Sequence, residues 1–395
     1  MKKNDLVFED IFKITTIAMH VTRSHPDIKR NIVWIVQVIP YMSLSLWAFI
    51  NLTRSVIYTD IPNKDYENAC KTGIMGIMSV TITYKYYNLV LCQKSIVGLI
   101  SIMNQDYEIS KNLPIEDQII VRKYCAYGVN VSKFWLVCAF VASSVFPVKA
   151  FTLMAYYYWR GEPRFVSMFE FTYFSCIEYY KYLTWVNWLL FGICFAFGLL
   201  AMSMYIAFDP VAPIFILHAC GQIELLVKKL NNVFLKKTDI KIVETEFKSI
   251  VVKLQQIYGF INEVDQNFTV FYEYNMKATT IMIPLSAFQI IKSYHQNEIN
   301  FEFISFFFGC ILQFFVPCYY SDLLMDKGEK LRQAIYSCGW EEQRSRKLRK
   351  LVLLILTRAS RPLILRSIFN TICLDTFAEM CRQSYTIFNL MNALE

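Results

Sequence analysis

The sequence predicts an all-α polytopic membrane protein: seven transmembrane helices, a cytoplasmic N-terminus, an extracellular C-terminus, and helices extended into a cytoplasmic anchor region. Three observations predict it. Hydrophobic residues make up 55% of the 395 and charged residues only 18%, with a mean hydropathy of +0.33, a balance too apolar for a soluble chain. Seven stretches are long and apolar enough to cross a bilayer core of about 30 Å, which takes about 20 helical residues. Lys and Arg divide unequally between alternate connections, 28 against 7.

In chain order the spans are Ile32–Leu52, Thr72–Leu91, Phe134–Tyr156, Tyr182–Phe208, Phe268–Ile291, Phe301–Tyr320 and Leu363–Ala393. The first and fourth carry no charge. The second carries Lys85, placed near the inner side, where its long stem would let the ammonium snorkel to the headgroups. Lys149 lies within the third, where it snorkels outward, pairs with an acidic group, or faces a pocket. Glu273 and Lys277 of the fifth are four apart, spaced to pair on one helix face. The turn 292–300 makes the fifth and sixth an antiparallel hairpin.

Segments 1–31, 92–133, 215–266 and 321–362 hold the 28 basic residues, and 53–71, 157–181 and 292–300 hold the 7. The first set is therefore cytoplasmic by the positive-inside rule. This orientation is opposite to that of G-protein-coupled receptors, whose sequence signatures are also missing. The cytoplasmic segments carry helical patterns of their own. Ile223, Leu226, Val227, Leu230, Val233 and Phe234 repeat at helical spacing, as do Ile250, Leu254, Ile257 and Ile261. These faces pack within the subunit or against sister subunits. The basic run Arg344-Ser-Arg-Lys-Leu-Arg-Lys350 reads as an anchor to anionic lipid heads at the inner surface.

Other features narrow the function classes. The net charge of +8 is spread among loops rather than gathered with aromatics in one patch, which argues against nucleic acid. Residues 1–31 contain no cleavable signal pattern. Of the 12 cysteines, only Cys70 and Cys176 fall where a disulfide could persist, and of the sequons at Asn51, Asn130 and Asn267 only the first falls outside. His20, His25, His218 and His295 are scattered without metal-site spacing, and no Gly-rich phosphate loop, nucleophile elbow or paired Cys motif occurs. No cofactor is expected, and the missing motifs argue against catalysis. A receptor, a channel or both remain.

The last span is unlike the others. Thr371, Asp375, Glu379, Arg382, Thr386 and Asn389 recur at steps of three and four, along one face of an otherwise apolar helix that Pro362 would start. An ionisable residue at mid-bilayer costs about 2.5 kcal/mol or more, so such a face lines water or packs on protein. The two readings are a pore lining, and a structural stripe in which Glu379 and Arg382 pair.

Three pieces of the chain carry a resemblance. The end, Cys381-Arg-Gln-Ser-Tyr-Thr-Ile-Phe-Asn-Leu-Met391, resembles the closing Ser-Tyr-x-x-Phe-x-Leu-Leu signature of insect odorant receptors. Asp209 with His218, Gln222 and Leu226 is similar to that family's Asp…His-x-x-x-Gln-x-x-x-Leu pattern, and Ala334-Ile-Tyr-Ser-Cys-Gly-Trp340 to its Ala-x-Tyr…Trp element. The chain looks most like ligand-tuned members from moths and other higher insects. The gustatory branch, which usually ends in Thr-Tyr…Gln-Phe, fits less well, because no Gln-Phe follows Ser384-Tyr385. A G-protein-coupled seven-span receptor is the remaining alternative.

The resemblance implies a non-selective cation channel opened directly by a small volatile odorant. Its partners would be odorant co-receptor subunits in a heterotetramer in the plasma membrane of the sensory neuron dendrite. It divides the chain into 1–214 (N-terminal segment and spans one to four, with most of the odorant pocket), 215–266 (cytoplasmic helical extension), 267–320 (spans five and six), 321–362 (cytoplasmic anchor helices) and 363–395 (pore-lining span seven and C-terminus). With the pocket among the outer halves of spans two to six, depth and chemistry select Met75, Met78, Thr81, Phe146, Lys149, Phe151, Trp185, Phe303 and Phe307. Position against the terminal signature places Gln383 at the gate, with Ile387 and Leu390 continuing that face, and the polar stripe adds Asp375, Glu379 and Thr386.

Overall fold

The computed structural model describes residues 6–169, 171–233, 240–296, 300–342 and 345–393. Its helices in order are α1 (Phe8–Ile11), α2 (Lys13–Val21), α3 (Ile32–Ser55), α4 (Tyr66–Leu91), α5 (Gln93–Ser110), α6 (Ile115–Trp159), α7 (Ser175–Tyr180) and α8 (Thr184–Phe208). There follow α9 (Val211–Val233), α10 (Ile240–His295), α11 (Phe301–Tyr336), α12 (Arg346–Ala359), a two-stranded ribbon of β1 (Leu365–Arg366) and β2 (Thr371–Ile372), and α13 (Leu374–Ala393). Among the described residues four runs, 32–60, 115–159, 184–233 and 301–336, are long and apolar enough to cross a membrane. The pair α4–α5, bent by 67° at Cys92, makes a fifth. α10 and α13 fall short because charged residues interrupt them, Glu273 and Lys277 in one and Asp375, Glu379 and Arg382 in the other.

Several helices are far longer than a bilayer requires. α10 has 56 residues, or about 84 Å at 1.5 Å each. It runs unbroken from the predicted extension into the predicted fifth span, as α11 runs out of the sixth, so the sequence boundaries at 267 and 321 fall inside continuous helices. The projecting halves supply their own core. Ile223, Leu226, Leu230 and Val233 of α9 and Ile250, Leu254, Ile257 and Ile261 of α10 are all buried, and the two helices pack on each other within the subunit. Phe234 lies outside the described residues. α9 also crosses α6 closely: a Cβ on Gly221 would sit 3.1 Å from the Tyr124 ring, and one on Gly128 of α6 would sit 3.6 Å from Ile214 of α9.

Polar contacts fix how these helices meet. Lys85 is fully buried and its Nζ lies 2.7 Å from Asp209 Oδ2 at the α8–α9 junction, under the Tyr205 ring at 3.5 Å. This overturns the expectation that Lys85 snorkels, because a charged partner inside the bundle outbids the headgroups once the stem is enclosed. Asp106 of α5 accepts from His218 of α9 at 3.1 Å and from Lys253 of α10. Burial acts to raise the Asp106 carboxyl, and these two partners more than reverse that, holding it below the usual carboxylate range. Asn51 is buried along α3, donating to Trp47 O at 2.8 Å, so its sequon is closed to glycosylation. The Cys70–Cys176 pairing falls partly outside the described residues, because the Cys176 side chain is not among them.

The end of the chain differs from the single long helix predicted from Leu363. Residues 363–373 form the β ribbon instead, and α13 starts at Leu374, so Thr371 belongs to β2 and not to the helical stripe. The cause is a set of side-chain partners for backbone amides. Ser321 Oγ accepts from Leu365 N at 2.9 Å, Asp265 Oδ1 from Arg366 N at 2.6 Å, and Ser367 and Asn370 close the turn with N–H to carbonyl O at 2.7 Å. Leu363, Leu365 and Ile372 are buried, so apolar residues that look like part of a span fill the core as strand residues.

Removing one member of the Lys85–Asp209 pair leaves the other buried and unpaired, at a cost of about 3–5 kcal/mol. Lys85→Met should therefore lower the Tm of the purified protein by several degrees. The double variant Lys85→Met with Asp209→Leu should recover most of the loss in the same thermal scan.

Candidate functional site

Five segments line an apolar cavity. α4 contributes Met75, Met78 and Ile82; α6 contributes Trp135, Ala139, Ala142 and Phe146; α8 contributes Phe197, Ala201 and Tyr205; α11 contributes Phe306, Gly309 and Gln313. Met168 and Phe169 come from the connection between α6 and α7 and close it. That connection is pinned to the bundle: Arg54 donates to Tyr173 O at 2.7 Å, Ser55 Oγ accepts from Thr172 N at 3.1 Å, and Met168 and Tyr173 are buried.

The lining suits a small, largely apolar molecule. Among the described residues no charged side chain lines it, and its aromatic rings meet at angles, Phe146 with Phe306 at 5.3 Å and with Phe169 at 5.0 Å. Tyr205 donates to the Met78 thioether, at 3.4 Å, a weak acceptor. Gln313 and Asn275 hold each other, Gln313 Nε2 to Asn275 Oδ1 at 2.7 Å. A smaller chamber adjoins the cavity and carries Lys149, whose Nζ lies 3.0 Å from Glu302 Oε2, together with Phe303. Of the three roles open to Lys149, the bundle therefore combines pairing with a place in a pocket wall.

The residues selected from sequence divide by position. Met75, Met78 and Phe146 line the main cavity, and Lys149 and Phe303 line the side chamber. Thr81 is buried elsewhere, bonded to Ile77 O at 2.9 Å and to Tyr274 Oη at 3.1 Å. Phe151 is half exposed against Phe191, and Trp185 is exposed on the outside of α8. Phe307 lies one residue beyond Phe306, which occupies the wall. Met168, Phe169, Trp135 and Tyr205 were not selected. Met168 and Phe169 sit in a connection whose Phe165-Val-Ser-Met-Phe169 run is the signal, since four of its five residues are apolar and gain by leaving solvent.

α13 packs on α10 and α11 by one face only. Met380 and Ser384 are buried there, Ser384 donating to Thr280 O at 3.2 Å, and Phe377 meets Phe315 at 5.4 Å. Asp375, Glu379, Arg382, Gln383, Thr386, Asn389 and Leu390 are exposed, while Ile387 is partly buried at the margin. At about 100° per residue, Glu379 and Thr386 lie within about 40° of the direction opposite Ser384. Glu379 and Arg382 do pair, at 3.0 Å, and Gln383 donates to Glu379 at 3.3 Å, but all three remain exposed. The stripe therefore does not attach this helix to its own subunit.

Away from both features, Glu9, His25 and Asp27 each bring one ligand-type atom within 4.8 Å of the others, a grouping that the spacing of the histidines does not reveal. Burial, with His20 stacked at 4.0 Å, pushes the His25 imidazole down to about 4, so it is neutral at pH 7. Glu9 and Asp27 are exposed.

Comparison with known proteins gives one consistent result. Odorant receptor 13a of Drosophila melanogaster is 22% identical over 391 residues, covering 92% of this chain and 87% of the relative. Odorant receptor 2a of the same fly is 34% identical over 98 residues, 25% of this chain and 24% of the relative. The insect olfactory receptor OR5 from Machilis hrabei has the same fold, with a TM-score of 0.76 at 14% identity over 98% of this chain and 97% of that one, and its complex with eugenol gives 0.77. The pattern described as 7tm Odorant receptor matches residues 65–385. The chain is thus a multi-pass membrane protein of the insect odorant receptor family, a receptor for small odorants and not an enzyme.

Proposed function

We propose that this chain is the ligand-tuned subunit of a non-selective cation channel that a small volatile opens directly. It works in a heterotetramer with the odorant co-receptor, in the plasma membrane of an olfactory sensory neuron dendrite. Its seven spans place the N-terminus in the cytosol, the C-terminus outside, and the ends of α9, α10 and α11 that project beyond the membrane in the cytosol as the anchor. The observation that carries this reading is the two-faced α13: an apolar face fixed to α10 and α11, and a charged and polar face that none of the described residues covers. Such a face is stable in a membrane where it meets water, as it would around a central axis shared by four subunits. Asp375, Glu379, Gln383, Thr386 and Leu390 then face the conduction path, and Ile387 stands at its edge.

The ligand binds in the apolar cavity. Met75, Met78 and Phe146 form its wall with Trp135, Tyr205 and Phe306, and flexible Met side chains fit varied shapes. A complex of the Machilis hrabei receptor with eugenol supports a small volatile as the occupant. Thr81, Phe151, Trp185 and Phe307 stand outside this pocket.

Two outcomes follow in cells that express the chain with its co-receptor. Glu379→Ala or Gln383→Ala should alter relative cation permeability or block, read from reversal potentials, and leave the order of agonist potencies unchanged. Gly309→Leu adds a side chain where a Cβ meets nothing within 4 Å in the cavity wall. It should leave the Tm no lower and weaken the largest agonists by about tenfold while sparing the smallest, a difference of about 1.4 kcal/mol.

A further inference from the structure

The side chamber differs chemically from the cavity it adjoins. Met75, Phe146, Met168 and Phe169 belong to both linings, so the two spaces meet across these four side chains. Beyond them the walls become polar, with Lys149, Glu302 and Asn300. Lys149 Nζ has three N–H donors and gives one to Glu302 Oε2 at 3.0 Å, and its side chain is 41% exposed against 9% for Glu302. Asn300 Nδ2 donates to Ser293 Oγ at 3.4 Å, and its Oδ1 is buried with no hydrogen-bond partner among the described residues. A buried acceptor without a donor is rare and marks a place that a further group can satisfy. Phe146 and Lys149 are three residues apart on α6, a rise of about 4.5 Å. A molecule that fills the main cavity and passes Phe146 therefore reaches the ammonium within one helical turn.

We propose that the side chamber is a head-group site for elongated ligands: the hydrocarbon body occupies the main cavity, and a terminal oxygen lies against Lys149 and Asn300. A hydroxyl fits best, because it accepts from Lys149 and donates to Asn300 Oδ1. A carbonyl does only the first, and a hydrocarbon does neither. The Lys149–Glu302 ion pair stays intact, so the site selects a neutral polar end rather than a second charge. This assignment rests on the main cavity being the ligand pocket.

The test uses cells that express the chain with its co-receptor. A straight-chain alcohol, its aldehyde and the hydrocarbon of equal length are each read as agonist or as competitor of another agonist, with surface labelling as the control for folding. The wild type should rank them alcohol, aldehyde, hydrocarbon. Lys149→Met should raise the half-maximal alcohol concentration by about tenfold or more and that of the hydrocarbon by less than about twofold, and Lys149→Arg should bring the alcohol back to within about threefold. An equal loss for all three compounds at normal surface level would make Lys149 a packing residue and overturn the head-group site. An unchanged alcohol response in Lys149→Met would overturn it too. A wild-type chain that answers no volatile in a broad panel contradicts the receptor reading, and the head-group site falls with it.

Discussion

Charge inside a low-dielectric slab must be paired or wetted, and the architecture follows from how each charged side chain in the apolar helices meets that demand. Lys85 finds Asp209 and ties α4 to the α8–α9 junction. Lys149 finds Glu302 and ties α6 to α11, and Lys277 finds Glu273 at 2.9 Å on the same helix. Each pair joins two elements or two turns at one register, which hydrophobic contact alone would leave free to slide. α13, by contrast, keeps Asp375, Glu379 and Arg382 exposed and away from the other described elements. Glu379 and Arg382 neutralise each other there, yet both still need water or another chain around them.

The cavity and the polar helix sit on opposite sides of one packed layer. α11 contributes Phe306, Gly309 and Gln313 to the cavity and Phe314 and Phe315 to the contact with α13. Gln313 also binds Asn275 of α10, whose neighbouring turn holds Thr279 and Thr280 against Met380 and Ser384. A change in the shape of the cavity is thus one helix thickness from the wall that α13 leans on. Tyr205 offers a second route, since its ring covers Lys85 while its hydroxyl touches Met78 inside the cavity.

Much of this was readable from residue order because the physics is local. Amphipathic repeats in 223–233 and 250–261 mark buried faces, and a Glu and Lys four apart mark an ion pair. The polar stripe of α13 was legible as a face, though its wet side is defined only by what Met380 and Ser384 touch. Three things were not local. The ribbon at 365–372 depends on acceptors supplied by Asp265 and Ser321, far away in sequence, and composition alone reads the same residues as helix. The partner of Lys85 is 124 residues distant. The pocket wall turns on a single residue of phase, Phe306 rather than Phe307, and on a connection that folds inward, which periodicity does not report.

The central claim is that water reaches the polar face of α13 under control of a molecule bound in the cavity. The most direct measurement places single cysteines by Glu379→Cys, Gln383→Cys, Thr386→Cys and Ser384→Cys and follows current during exposure to a charged, membrane-impermeant thiol reagent, with and without odorant. Modification is expected at the first three positions, faster when odorant is present, and not at Ser384→Cys, since Ser384 faces α10. Equal reaction at all four positions, or rates that odorant does not change, would contradict the claim.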